Sequence, residues 1–326
     1  MEQGIRNKGR NRKCVATPKS SMTKYEVIII GGGPAGLTAG LYTSRAGLKS
    51  LLVERGMFGG QIVNATLVEN YSGFPEGISG SELGSLMYQQ ALKYGLEVVT
   101  DEVTSLSQGQ PYNVSTTEGN FQAASIIIAA GSEYRKLRVA GEGKLSGHGV
   151  SYCATCDGFL FRDREVAVVG GGDTAITDAL ELSRHTKKVY VIHRRDQLRA
   201  GQVLQQQAFA QPKLEFIWST VVEEVLGEKM LSGLKLHNVK TGQQASLKVD
   251  GVFVAVGLMP NSRSFFNILE LDDAGYIVTD ETMATSAPGI FAAGDIRRKS
   301  ARQVAAAVGD GVTAAMSAFK YLQETS

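Results

Sequence analysis

The chain has 326 residues, which suggests two domains of ordinary size or one large domain. Because 43% of the residues are hydrophobic and 20% are charged, the chain can build a sizeable core, which excludes wholesale disorder. Three cysteines exclude a disulfide-rich scaffold and leave catalysis or metal binding for a cysteine pair. All apolar runs are shorter than the ~18 residues of a membrane span, so we expect a soluble protein with no membrane partner.

Basic charge is concentrated in residues 1–21, which carry six lysine and arginine side chains and one glutamate. The remaining chain holds 28 basic and 31 acidic side chains, so the net charge of +2 reflects this segment and not a nucleic-acid-binding surface. The segment lacks the apolar stretch of a secretory signal, and its arginine-rich composition has no amphipathic period. We predict a disordered extension, or a true start of translation at Met22, and no nucleic-acid partner.

The first predicted strand, loop and helix carry a dinucleotide-binding pattern. The apolar, β-branched stretch Val27–Ile30 predicts a strand that is buried on both faces. A Gly-x-Gly-x-x-Gly motif at residues 31–36 follows it and opens a helix, with Pro34 in the first turn. The next strand, Lys49–Val53, ends at Glu54. Glycines in this place let a pyrophosphate contact the backbone, and the acid accepts hydrogen bonds from ribose hydroxyls.

The same unit recurs in the middle of the chain. Strand Glu165–Val169 precedes a Gly-x-Gly-x-x-Ala turn at residues 170–175, helix Asp173–Arg184 follows, and strand Lys188–Ile192 ends at His193. In both copies, 23 positions separate the first glycine from the residue that ends the second strand. One such loop alone can be an ordinary tight turn, but two copies with equal spacing are specific for dinucleotide binding.

The residues that end the second strand of each copy predict two different ligands. Glu54 repels a 2′-phosphate and suits an unphosphorylated adenosine ribose. In the second copy His193, Arg194 and Arg195 replace the acid, and Arg199 follows one turn later. Because arginine is the preferred fork for phosphate, this site is predicted to prefer NADPH to NADH, the alternative being a solvated basic face. A protein that binds NADPH and a second dinucleotide is most simply a flavoprotein.

Cys153 and Cys156 lie between the two loops, in the run Cys-Ala-Thr-Cys-Asp. Two cysteines separated by two residues can close a small disulfide ring, and the pKa of such thiols is commonly lowered. A zinc site would need two further ligands, which Cys14 and the histidines do not offer at paired spacing, and an inert buried pair is the other alternative. Asp157 can act as general acid toward a released thiolate if burial raises its pKa.

Two helices outside these units are also predicted. Apolar residues lie near one face of Glu82–Tyr94, and Gly95 supplies the stop. Near the C-terminus, Ala305–Ala315 is a helical stretch of small residues that the Gly-Asp-Gly run at 309–311 interrupts. The first of these helices is interpreted as core packing.

Further segments complete a family pattern. Gly-Gly-Gln at 59–61 and Val-Glu-Asn-Tyr-Ser-Gly-Phe-Pro at 68–75 precede the cysteine pair, and the segments at 289–295 and 302–305 follow the second loop. Together with the cysteine motif and the His-Arg-Arg run, they resemble the low-molecular-weight, bacterial-type thioredoxin reductases, which are FAD- and NADPH-dependent pyridine nucleotide-disulfide oxidoreductases. The resemblance covers residues 22–326.

The resemblance implies an α/β fold with two Rossmann-like dinucleotide-binding domains. The NADPH domain, residues 138–264, is inserted into the FAD domain, residues 22–137 and 265–326. The implied FAD-binding residues are Gly31, Gly33, Pro34, Ala35, Gly36, Glu54, Gly60, Gln61, Asn70, Val103, Gly131, Gly294, Asp295, Arg302, Gln303 and Val304. The implied NADPH-binding residues are Gly170, Gly172, Asp173, Thr174, Ala175, His193, Arg194, Arg195 and Arg199. The implied catalytic residues are Cys153, Cys156 and Asp157, and no metal is expected.

The family also implies a reaction, which is the reduction of thioredoxin or a thioredoxin-like protein. Hydride passes from NADPH to FAD and on to the Cys153–Cys156 disulfide, and dithiol–disulfide exchange then reduces the protein partner. The spacing is compatible with either cysteine attacking the partner. Because no further cysteine pair can relay electrons, we expect the NADPH domain to rotate between two states. A cytoplasmic homodimer is also implied.

Three alternatives differ in their sequence requirements. A reductase that draws electrons from ferredoxin would keep the cysteine pair and lack the His-Arg-Arg run. The reductase of a peroxide-reducing system would carry an additional N-terminal redox domain, which 21 residues cannot supply. A non-enzymatic dinucleotide-binding module would have no use for a cysteine pair between its two loops.

Overall fold

The computed structural model of the chain describes residues 23–65 and 67–325. The predictions for the basic segment 1–21 and for Met22 fall outside the described residues. The described chain divides into two units, of which the first holds residues 23–63, 81–131 and 260–325. The second holds residues 64–80, without Thr66, and 132–259. The domain bounds expected from the sequence stay predictions.

The helices and strands are numbered in chain order. The helices are α1 (Pro34–Arg45), α2 (Gly80–Leu92), α3 (Ala154–Asp157), α4 (Asp173–Ser183), α5 (Gln202–Ala210) and α6 (Val304–Thr325). The strands are β1 (Thr23–Ile30), β2 (Ser50–Glu54), β3 (Glu97–Thr100), β4 (Val103–Leu106), β5 (Tyr112–Thr116), β6 (Asn120–Ile128), β7 (Ser132–Tyr134), β8 (Val150–Ser151), β9 (Glu165–Val169), β10 (Lys188–Ile192), β11 (Leu214–Ile217), β12 (Thr220–Gly227), β13 (Leu231–Asn238), β14 (Gln244–Leu247), β15 (Gly251–Val254), β16 (Leu258–Pro260) and β17 (Ile290–Ala292).

The sheet of the first unit has the order β3-β2-β1-β6-β5-β4, and β17 also pairs with β6. Strand β1 runs parallel to β2 and to β6, with Ile30 opposite Val53 and Ile128. Val27 and Ile29 pack into the core on one face, and Ile28 and Ile30 pack into the core on the other. The prediction of a strand buried on both faces is therefore confirmed, and the carboxyl ends of these strands meet at one edge of the sheet.

Helix α6 runs without a break from Val304 to Thr325, so the predicted interruption at 309–311 is wrong. The reason is close packing against α1, since a Cβ built at Gly311 would lie 2.3 Å from the carbonyl oxygen of Ala35. Only glycine allows this approach, and the packing that it permits outweighs the low helix propensity of glycine.

The sheet of the second unit has the order β11-β10-β9-β15-β8, and its strands are parallel. Strands β9 and β10 have the predicted bounds, with Val169 opposite Ile192. An antiparallel sheet of order β12-β13-β14 adds to this unit. The prediction of a fold with two Rossmann-like units is confirmed by the parallel strands β3, β2, β1, β6 and β17 of the first sheet and by the parallel second sheet. Strands β5 and β4 extend the first sheet with antiparallel pairing. Within the described ranges, no helix is both long enough and apolar enough to span a lipid bilayer.

Two neighbouring glycines of α6 test the role of its packing. Gly311→Ala should lower the free energy of unfolding by about 1–3 kcal/mol, because its methyl group meets backbone atoms that cannot move aside. Gly309→Ala is the matched control, since no described atom lies within 4 Å of a Cβ at that position. It should raise the free energy of unfolding by up to about 1 kcal/mol. Urea unfolding followed by circular dichroism measures both, and equal effects of the two variants would contradict the packing argument.

Candidate active site

The first glycine loop is shaped by contacts that exclude side chains. Gly31 has a φ of +107°, and a Cβ there would lie 2.4 Å from the carbonyl oxygen of Ala129. A Cβ at Gly36 would lie 1.8 Å from the carbonyl oxygen of Gly31. Gly33 precedes α1 and faces open space, since the nearest described atom to a Cβ there is the Cα of Gly60, at 3.9 Å. The space in front of this helix N-terminus can therefore receive a phosphate group.

Glu54 ends β2 and binds the same loop. Its Oε2 accepts a hydrogen bond from the N–H of Gly32 at 2.6 Å, and its Oε1 accepts one from the N–H of Gly56 at 2.7 Å. A carboxylate has about four lone-pair sites, so Glu54 keeps the capacity to accept hydrogen bonds from ribose hydroxyls. The Gly-Gly-Gln segment packs alongside, with the N–H of Gly59 donating to the carbonyl oxygen of Gly32 at 2.8 Å.

A turn that begins at Gly294 lies beside the start of α1, with a Cβ at Gly294 placed 3.0 Å from the Cβ of Ala35. Asp310 of α6 fixes this turn. Its Oδ2 accepts hydrogen bonds from the N–H of Gly294 at 3.0 Å and from Nε of Arg297 at 2.5 Å, and its Oδ1 accepts one from Nη2 of Arg297 at 2.8 Å. The turn presents Asp295, whose pKa is raised by burial and is partly lowered again by the hydroxyl of Ser300.

The carboxyl edge of the first sheet gathers many of the residues predicted to bind FAD. They are Gly31, Gly33, Pro34, Ala35, Gly36, Glu54, Gly60, Gly131, Gly294 and Asp295. Gln61 follows Gly60 in a short 3-10 helix, and Val103 begins β4. Val304 begins α6, and Arg302 and Gln303 directly precede it. Asn70 lies in the segment 67–80, which belongs to the second unit. The roles of all these residues stay predictions.

The first unit fits a bound FAD on structural grounds. The glycine loop leaves open space in front of α1, and no described heavy atom lies within 4 Å of a Cβ built at Gly131. Asp295 supplies a partly buried carboxylate able to accept hydrogen bonds from ligand hydroxyl groups. An open helix N-terminus and a hydrogen-bond acceptor at one edge of the sheet are what a dinucleotide requires.

The second glycine loop repeats this design. A Cβ at Gly170 would lie 2.4 Å from the carbonyl oxygen of Ala255, whereas no heavy atom of the described chain lies within 4 Å of a Cβ at Gly172. Helix α4 begins at Asp173, and it continues with the exposed Thr174 and the buried Ala175. The second unit thus also offers an open helix N-terminus to a phosphate.

The loop after β10 is tied to the second glycine loop. The N–H of Arg199 donates to the carbonyl oxygen of Gly171 at 2.6 Å, and the N–H of Gly201 donates to Oδ1 of Asp173 at 2.8 Å. Arg194, Arg195 and Arg199 are exposed. The loop that carries these three exposed arginines is therefore attached to the second glycine loop, and the binding of a 2′-phosphate by the arginines stays a prediction.

His193 differs from the arginines that follow it. It is only 4% exposed, and its ring packs against Gly171, where a Cβ would lie 2.4 Å from Nδ1. Nε2 has no hydrogen-bond partner among residues 23–65 and 67–325. Burial lowers the pKa of His193, and the nearby charge of Arg199 lowers it further. The imidazole is therefore neutral at pH 7 and supports the loop by packing, while the arginines supply the charge.

Cys153 and Cys156 form a disulfide, with their Cα atoms 5.3 Å apart, and both are partly exposed. The hydroxyl of Ser151 donates to Oδ2 of Asp157 at 2.6 Å and accepts the N–H of Cys153 at 3.1 Å. Burial raises the pKa of Asp157, and the hydrogen bond from Ser151 offsets part of that rise. This direction is the one that a general acid needs, and the role of Asp157 as general acid stays a prediction.

Two anchoring acids escaped the sequence analysis. The sequence indicates a special role for Asp310, because it is the one charged residue in the run of small and apolar residues from 304 to 319. No sequence pattern indicates the role of Glu142. Its buried carboxylate accepts the backbone N–H groups of Leu137 at 2.9 Å and Arg138 at 2.7 Å, and the hydroxyl of Tyr152 at 3.0 Å. It therefore fixes the residue that precedes the cysteine pair.

Comparison with known proteins agrees with this arrangement. The family model described as pyridine nucleotide-disulphide oxidoreductase matches residues 25–311. The thioredoxin reductase of Listeria monocytogenes is 50% identical over 302 residues, which cover 92% of this chain and 94% of that protein. The thioredoxin reductase of Bacillus subtilis is 46% identical, with coverage of 92% and 95%.

A solved structure gives the same result at the level of the fold. The thioredoxin reductase of Streptococcus pyogenes superposes with a TM-score of 0.89 at 44% identity, covering 93% of this chain and all of that one. The family resemblance and the prediction of FAD and NADPH as cofactors are confirmed by these matches. The chain therefore belongs to the pyridine nucleotide-disulphide oxidoreductase family and, within it, to the low-molecular-weight thioredoxin reductases.

Proposed function

We propose that this chain reduces the disulfide of thioredoxin or of a thioredoxin-like protein with electrons from NADPH. The observation that carries the proposal is the disulfide of Cys153 and Cys156 beside the partly buried Asp157. The same unit holds an arginine-rich loop next to an open helix N-terminus, so a nucleotide site and a redox site occur in one structural unit. On the family resemblance we also propose a cytoplasmic homodimer.

The first unit would hold FAD through its glycine loop, Glu54 and the turn at Asp295. Bound FAD supplies the means to accept a hydride from NADPH and to deliver an electron pair to a disulfide. The chain's own part is to present the phosphate-binding loop, to exclude side chains from it and to hold the turn of Asp295 through Asp310. In the second unit, the three arginines orient the 2′-phosphate of NADPH.

Thiol–disulfide exchange with the protein partner then takes place in two steps. One cysteine thiolate attacks a partner sulfur, a mixed disulfide forms, and one partner thiolate leaves. The thiolate of the second cysteine attacks the mixed disulfide, which reforms the Cys153–Cys156 bond and releases the second partner thiolate. Two electrons leave the chain and two protons accompany them. Asp157 gives its proton to a nascent thiolate on reduction of the pair, because burial keeps the carboxyl protonated more readily than usual.

Serine variants of the pair test the proposal. Cys153→Ser or Cys156→Ser should abolish NADPH-dependent reduction of thioredoxin, because neither variant can reform the disulfide. Loss of the visible flavin absorbance on addition of NADPH should continue, since that transfer does not use the cysteines. Cys14→Ser is the matched control and should reduce thioredoxin at the wild-type rate. Thioredoxin reduction by either active-site variant would refute the proposed function.

The role of Asp157 is tested by Asp157→Asn, which keeps the shape and removes the proton. Turnover with thioredoxin should fall about 100-fold, the lower range for loss of a general acid. Because the pKa of Asp157 is raised, the wild-type rate should decline as rising pH deprotonates it, and the variant should lose this decline. Asp163→Asn replaces an exposed acid nearby and should keep the wild-type rate and pH profile. An unchanged profile in Asp157→Asn would remove the acid from the mechanism.

Retention of FAD tests the anchor at Asp310. Asp310→Asn keeps the side-chain size and loses the charge that Arg297 faces, so the turn of Asp295 should loosen. The dissociation constant for FAD should rise about tenfold, as expected for a lost charge-assisted hydrogen bond. Fluorescence during reconstitution of the apoprotein measures it. Asp280→Asn, in another turn of the same unit, is the control. An unaltered FAD affinity in Asp310→Asn would contradict the assignment.

A further inference from the structure

Residues 194–199, which follow β10 and form the arginine loop, contain one acid whose charge is unfavourable for binding a phosphate. Asp196 is exposed and lies in sequence between Arg195 and Arg199, two of the residues predicted to bind the NADPH 2′-phosphate. A free carboxylate there would repel the phosphate and would compete with it for the same guanidinium groups. A positively charged side chain that pairs with this carboxylate would prevent both effects.

Lys240 provides this positive charge from outside the Rossmann-like sheet. It lies in the turn between β13 and β14, and its Nζ is 2.6 Å from Oδ2 of Asp196. This contact lowers the pKa of Asp196, so the acid is charged and paired. The turn is held by Oδ1 of Asn238, which accepts the N–H groups of Lys240 and Thr241 at 3.0 Å each.

Backbone hydrogen bonds join this turn to the arginine loop. The N–H of Val239 donates to the carbonyl oxygen of Ser219 at 2.7 Å, and the N–H of Ser219 donates to the carbonyl oxygen of Arg195 at 3.0 Å. Lys240 is thus placed beside Asp196 by the backbone of three segments. These hydrogen bonds hold these backbone segments next to each other, so the exposed side chains of Lys240 and Asp196 lie within reach of one another.

We propose that Lys240 is a positioning residue that sets the preference for a 2′-phosphorylated nucleotide. By holding the carboxylate of Asp196, it keeps Arg195 and Arg199 available to the phosphate. The inference rests on the proposed use of NADPH, and it adds an element outside the nucleotide-binding motif to the specificity of that site.

The experiment measures binding and not turnover, with NADP⁺ and NAD⁺ titrated into the oxidised holoenzyme by calorimetry. Lys240→Met should raise the dissociation constant for NADP⁺ about three- to fivefold, the upper range for one exposed ion pair. Binding of NAD⁺, which lacks the phosphate, should not change. The effect on NADP⁺ should shrink at high salt, because exposed charges are screened.

The chain offers a matched control at the amino ends of the parallel strands in the second unit, whereas the arginine loop follows the carboxyl end of β10. Lys187 pairs with Glu165 at 2.8 Å, also through an exposed lysine, at the start of strands β9 and β10. Lys187→Met removes a similar ion pair far along the strands from the arginine loop. It should leave both dissociation constants unchanged.

Repeating the Lys240→Met substitution in an Asp196→Asn protein shows whether Lys240 acts through the carboxylate of Asp196 or through the structure of the loop. In Asp196→Asn the carboxylate is gone, so Lys240→Met should have no further effect on NADP⁺ binding. An equal loss in both backgrounds, a parallel loss of NAD⁺ binding, or no loss at all would each overturn the inference. If the wild-type protein does not prefer NADP⁺ to NAD⁺, the proposed use of NADPH fails with it. If the wild type prefers NADP⁺ and the size of that preference is the same in Lys240→Met, the inference alone is overturned.

Discussion

The architecture depends on backbone groups that approach each other too closely for any Cβ. At the end of β1 the carbonyl oxygen of Gly31 occupies the place where a side chain of Gly36 would lie, at 1.8 Å. The second loop is packed closely in a different way. Ala175 replaces the third glycine, and its methyl fills the space in front of Gly170, where an added Cβ would lie 2.7 Å away. In both loops the missing side chains leave a helix N-terminus open to a ligand phosphate.

The residue that ends the second strand has a common structural task in both units. Glu54 accepts the N–H of Gly32, and His193 packs its ring on Gly171, which is the equivalent middle residue of the second loop. Exchange of glutamate for histidine therefore preserves the support of the loop and removes a negative charge. Because burial lowers the pKa of His193, the exchange adds no positive charge of its own. On the proposed function, the arginines that follow would select between the two dinucleotides.

The sequence predicted those features that depend on local pattern. Strands β9 and β10 were predicted to the residue, and the two glycine loops and the cysteine pair were found from spacing alone. Contacts between distant segments could not be predicted, because a local period carries no information on them. The pair of Arg297 and Asp310 is one case, and the pair of Asp196 and Lys240, 44 positions apart, is another. The unbroken α6 shows tertiary packing prevailing over the low helix propensity of glycine.

The buried Asp310 and the partly buried Asp295 and Asp157 show how a carboxylate serves different tasks according to its partners. Asp310 faces the guanidinium of Arg297, so its charge is compensated and it acts as an anchor. Asp295 and Asp157 receive hydrogen bonds from serine hydroxyls, which offset only part of the effect of burial on their pKa. A carboxyl group in that state is protonated more easily than an exposed one, which is costly in a structural anchor and useful next to a thiolate. The position of Asp157 directly after Cys156 places that property where thiol chemistry needs it.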